Sequence, residues 1–133
     1  MKKLALVSLV LLLNGCVLVD AFRMSRFDNN EYMLVNQIRT QSQLGTIKCG
    51  TKDVVPYVDD IYVKSVELRN YSAGIAHNEE AVTMATNLLD ITRGFKEKYA
   101  NDDDASQKFC ELKFSMIEKS TAVMQTTIGA KPR

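Results

Sequence analysis

Apolar residues in this chain recur every three or four positions and almost never alternate, a periodicity that restricts it to packed helices. The clearest run is Val54, Val58, Ile61, Ser65 and Leu68, whose 4-3-4-3 spacing draws one stripe along a helix. Ahead of it, Leu34, Val35 and Ile38 supply the apolar face of a helix over residues 29–44. Asp28 and Glu31 have the N-cap and N3 spacing of a capping box there, and Phe27 and Tyr32 that of a hydrophobic staple. Gly45 is the expected C-terminal stop. The Val54 helix follows Thr51 or Asp53, carries Pro56 in its first turn, where a missing N–H is tolerated, and breaks at Gly74. A third helix starts near Asn78, with Glu79 and Glu80 in the first turn, where the helix dipole favours acids. Its face is Ala81, Met84 or Ala85, Leu88, Ile91 and Phe95, and it ends between Gly94 and Tyr99. A fourth starts from the turn Asn101-Asp102-Asp103-Asp104 and stops at Gly129, with Pro132 beyond. Phe109, Leu112, Met116 and Val123 share one of its faces, with Cys110, Ile117, Met124 and Ile128 beside them. Four helices with short connections predict an all-α, up-down four-helix bundle.

The start of the chain carries a different signal. Lys2 and Lys3 precede an apolar run from Leu4 to Leu13, too short to span a bilayer but suited to a signal-peptide core. Leu13-Asn14-Gly15-Cys16 follows. This stretch resembles the lipobox of bacterial lipoproteins. The resemblance implies removal of residues 1–15, a thioether-linked diacylglycerol on Cys16 and usually an N-acyl chain as well. Several acyl chains hold far more firmly than one, at roughly 0.8 kcal/mol per buried methylene. In the enterobacterial sorting rule an Asp after the lipidated Cys retains the protein in the inner membrane. Val17 stands there instead, so the resemblance implies the periplasmic face of the outer membrane. Residues 16–27 are then a lipidated tether and 28–133 the helical domain. The tether is apolar at Val17, Leu18, Val19, Ala21, Phe22, Met24 and Phe27, and basic at Arg23 and Arg26. Two destinations fit that pattern: the headgroup layer, or the surface of the domain.

With Cys16 assigned to lipid, Cys49 and Cys110 remain, an even pair that reads as a disulfide in an oxidising periplasm. The alternative is two buried thiols. The pairing also tests topology. In an up-down bundle both cysteines lie at one end. If the second and third helices were one rod of about 45 residues it would be roughly 65 Å long and would part them, beyond the Cα separation of about 7 Å that a disulfide tolerates. The same topology brings the tether and the C-terminus together at the other end. Arg23, Arg26, Lys131 and Arg133 are accordingly expected near the membrane, with the cysteine end and residues 101–104 pointing away from it.

Motifs that carry chemistry are sparse. Without Lys2 and Lys3 the chain has 15 basic and 16 acidic residues and no long run of one sign, so a nucleic-acid partner is not indicated. His77 is the only histidine and lacks a helical partner at metal-ligand spacing. Asp102–Asp104 lack the EF-hand spacing and read as a turn that caps the fourth helix. The carboxylate pairs Asp59-Asp60 and Glu79-Glu80 are adjacent in sequence and diverge by about 100° on a helix, a poor geometry for shared acid–base work. No cofactor, metal or small-molecule substrate is expected. The expected role is a non-enzymatic, lipid-anchored interaction or scaffolding module that binds an envelope protein. Three narrower or competing readings stand beside it. In size, lipobox, helix number and cysteine placement the chain is similar to the all-helical pilotins of secretins, which would make it a secretin chaperone with an apolar groove. A phage-encoded lysis or superinfection-exclusion lipoprotein is a second. An envelope enzyme is the third, and would require a deep pocket joining His77 to a carboxylate.

Overall fold

The computed structural model describes residues 24–101 and 105–133. They form four helices and no strand among the described residues: α1 (Asn29–Thr46), α2 (Val55–Ala73), α3 (Glu79–Asn101) and α4 (Gln107–Gly129), with a short 3-10 turn at Lys52–Val54. The helices run up and down in sequence and close into a four-helix bundle. α1 lies along α4 and α2 along α3, while the α3–α4 seam is the most sparsely packed of the neighbouring pairs.

Each helix buries one 4-3 stripe. On α2 it is Val58, Ile61, Ser65, Leu68 and Ser72, on α3 Ala81, Ala85, Leu88, Thr92 and Phe95, and on α1 Glu31, Val35, Ile38, Ser42 and Gly45. The small polar members are satisfied within their own helices: the hydroxyls of Ser42, Ser65, Thr92 and Thr121 donate to carbonyls three or four residues back. They therefore occupy core positions without an orphaned donor.

On α4 the stripe is Cys110, Phe114, Ile117, Thr121, Met124 and Ile128. The face carrying Leu112, Met116 and Val123, expected from the sequence to belong to the apolar side, looks outward. Leu112 is 59% and Val123 60% exposed. Both faces have helical spacing, and only the position of α1 and α3 decides which of them is covered.

Cys49 and Cys110 form a disulfide with a Cα–Cα separation of 5.7 Å, at the end of the bundle opposite the C-terminus. Beside it Phe95 meets Phe109, Phe114 and Tyr99 edge-on, with centroids 6.0, 4.9 and 5.5 Å away. Partial burial raises the Tyr99 phenol above its ordinary value.

Helix ends follow local chemistry with three differences from expectation, the first being that the Glu31 carboxylate bonds Ser72, Asn78 and Lys131 and does not return to the Asp28 amide as a capping box requires. Asp28 caps α1 by accepting from the Glu31 amide at 2.9 Å, and the Phe27 and Tyr32 rings meet at 5.8 Å as a staple. The α4 cap is Ser106, whose hydroxyl accepts from the Phe109 amide, rather than the acidic turn. Asp102–Asp104 lie outside the described residues. Gly45 does not end α1, which continues to Thr46. It is a packing glycine: a Cβ there would stand 2.7 Å from Cε1 of Phe114. Gly94 is its opposite, an α3 glycine whose added Cβ would meet nothing within 4 Å. Alanine at the two positions is therefore expected to act in opposite directions. Gly45→Ala should cost about 1–3 kcal/mol through overpacking, and Gly94→Ala should add about 0.5–1 kcal/mol through helix propensity. Denaturant unfolding of both variants checks this; equal effects would refute the packing role of Gly45.

Candidate functional site

Two features stand out, a buried polar knot at the end where the chain enters α1 and an apolar furrow in the α3–α4 seam.

The knot is the last layer of the core. Glu31, Ser72, Asn78 and Lys131 each continue the 4-3 stripe of their own segment, and all are buried. Glu31 is fully buried, and its Oε1 accepts from Ser72 Oγ and Asn78 Nδ2, both at 2.7 Å. Its Oε2 accepts from Lys131 Nζ at 2.8 Å. The Asn78 amide is used on all four sides. Its oxygen accepts from Ser25 Oγ and Lys131 Nζ, and its nitrogen donates to Glu31 and to the Ser72 carbonyl. A buried ion pair persists when its remaining hydrogen-bonding positions are filled, as they are here.

This alters the expected membrane-proximal set. Lys131 is not available to headgroups: it is 7% exposed, and its ammonium is spent on Glu31 and Asn78. Three residues beyond Ile128, it falls in phase with the buried stripe of α4, and Glu31 stands opposite. Arg26 and Arg133 are exposed at this end, Arg133 with its guanidinium 5.1 Å from the Phe27 ring centroid. Cys16 and Arg23 lie outside the described residues. The sequence reading used Glu31 only as a capping-box residue. The signal it missed is register, because Glu31 precedes Val35 and Ile38 by the spacing that buries them.

An open cleft of about 450 Å³ lies beside the knot, lined by Met24, Ser25, His77, Asn78, Glu79, Glu80, Ala81, Thr127 and Lys131. It brings His77 near two acids, but all three are exposed and no hydrogen bond joins the imidazole to either carboxylate among the described residues. His77 has a backbone role, with φ 58° and its carbonyl accepting from the Ser25 amide at 3.0 Å. No group of three His, Cys, Asp or Glu residues that could hold a metal occurs among the described residues.

A separate depression lies in the α3–α4 seam. This furrow of about 210 Å³ is lined by Met84, Asn87, Leu88, Ser120, Val123 and Met124. Leu112, Met116 and Val123 extend its α4 bank as an exposed apolar strip. The other seams have polar ties. Arg39 and Gln43 of α1 bond Gln125 and Glu118 of α4, and Lys96 of α3 pairs with Asp59 of α2 while lying over the Tyr62 ring. Between residues 84–91 and 116–124, no side-chain hydrogen bond or ion pair joins α3 to α4 among the described residues. None of the described helices is long and apolar enough to cross a membrane.

No protein-family model matches the chain, nor does any curated protein or solved structure.

Proposed function

We propose that the protein is a lipid-anchored module of the cell envelope, held by Cys16 at the periplasmic face of the outer membrane, that binds a partner protein and catalyses no reaction. The observation that carries the binding reading is the α3–α4 furrow. Leu112, Met116 and Val123 stand exposed along its α4 bank, and apolar side chains grouped on one face are what a contact surface offers a partner. From Leu112 to Val123 the strip runs for three helical turns, about 16 Å. That length suits an amphipathic helix presenting residues at i, i+4, i+7 and i+11. Lys119 lies on the strip between Met116 and Val123, while Glu79 and Glu80 stand at the cleft end. The matching helix therefore carries an acid opposite Lys119, between its apolar anchors, and bases at its cleft end.

The narrower reading, a pilotin-like chaperone of a secretin, is favoured over the phage and enzyme readings by this furrow, since a pilotin needs an apolar groove.

Anchor and surface are tested separately. Cys16→Ser should abolish palmitate labelling and release the chain from membranes; equal labelling of the variant and the wild type would sink the lipoprotein reading. Photo-reactive residues at Met84 and Val123 should capture one and the same envelope protein, and a probe at exposed Val63 on α2 should not. Capture should disappear in Leu112→Glu/Met116→Glu protein that keeps its helical circular dichroism. Capture that persists there, or that is equal at Val63, would overturn the surface.

A further inference from the structure

We infer that the last three residues, Lys131-Pro132-Arg133, are a strap that clamps residues 25–27 to the end of the bundle as a unit that opens separately from the helices. The inference deepens the reading just given and rests on it in one respect, because residues 25–27 are the domain-side end of the proposed tether.

Residues 25–27 belong to no helix, yet they are held from two sides. On one side the Ser25 amide donates to the His77 carbonyl at 3.0 Å and its hydroxyl to Asn78 Oδ1 at 2.8 Å. On the other the Phe27 amide donates to the Pro132 carbonyl at 2.8 Å, and the Phe27 ring lies between Tyr32 and the Arg133 guanidinium. Lys131 joins the two sides. Its ammonium shares Asn78 Oδ1 with Ser25 and thereby holds the Asn78 amide in the one orientation that presents an oxygen to the Ser25 hydroxyl. His77 contributes a left-handed backbone, φ 58°, that turns its carbonyl toward Ser25. A non-glycine residue keeps that conformation only when its surroundings hold it there.

The strap is thus a unit distinct from the helices. Its contacts lie at one end of the core, where the half-buried Phe27 ring packs, and together they hold residues 25–27 in place. Released, residues 24–27 become four residues of extended chain ahead of the Asp28 cap, worth about 13 Å of reach. Of the strap, Lys131 lines the cleft, beside Met24, Ser25 and Asn78.

The test is amide exchange in the full chain as cells process it, comparing wild type with two variants. One lacks Pro132 and Arg133. The other, Phe27→Ala, leaves the C-terminus and the Lys131–Glu31 pair in place. The Ser25 and Phe27 amides should exchange at least tenfold faster in both variants, while the Ile38 and Ile117 amides keep their wild-type protection. Protection of Ser25 and Phe27 that survives both changes would overturn the strap. So would Ile38 and Ile117 accelerating in step with them, because the tails would then be no separate unit. Exchange reads the strap whether or not the chain carries lipid, so failure of the anchor leaves this result standing, and failure of the strap leaves the anchor standing.

Discussion

Replacing Lys131 by methionine should lower the unfolding free energy by about 3–5 kcal/mol, the usual cost of leaving one partner of a buried ion pair uncompensated. The full burial of Glu31 sets the scale, since its carboxylate cannot recover water without opening the core. The donors from Ser72 and Asn78 remain, which places the effect at the lower end of that range. Total stabilities of small domains are about 5–15 kcal/mol, so the loss should be visible in a urea titration at 25 °C. Adding Glu31→Gln to Lys131→Met should restore most of it. A glutamine oxygen still accepts from Ser72 and Asn78, and no charge is left behind. Simple additivity of the two changes in a double-mutant cycle would show that the pair is not coupled and would refute this account.

Opening the Cys49–Cys110 bond should cost a comparable amount by another route. The cysteines are 61 residues apart, and closing a loop of that length restricts the unfolded chain by about 4 kcal/mol. Cys49→Ala/Cys110→Ala protein should keep its helical circular dichroism, because only Cys110 of the four buried stripes is trimmed, and should unfold at a much lower denaturant concentration. The two large effects arise at opposite ends of the bundle and should add. A loss below about 1 kcal/mol would mean that the unfolded state stays compact without the bond, and the chain-entropy argument would fail for this protein.

Elements were legible in the sequence wherever one local rule decided them. The stripe Val54 to Leu68 could be read because burial on a helix repeats at its own period, and all its members are buried. The Asp28 cap and the Phe27–Tyr32 staple could be read because their contacts span only a turn. With short connections, the four periodic segments determined an up-down bundle, and the cysteines determined a break near Gly74.

Tertiary packing decided what local rules leave equal. Gly45 reads as a stop by composition, but the Phe114 ring needs its missing side chain, and the helix runs on. On α4 two apolar faces have the same period, and the arrangement of α1 and α3 buried the Phe114–Ile117–Met124 face and left Leu112, Met116 and Val123 outside. Glu31 and Lys131 are 100 residues apart, and each alone is an ordinary surface charge. The sequence determined the phase that carries both to the inner face of the bundle. Only the packing of the C-terminal tail against α1 decided that they satisfy one another, because a buried charge is tolerable only with a partner within hydrogen-bonding reach, and that partner is in place only in the folded bundle.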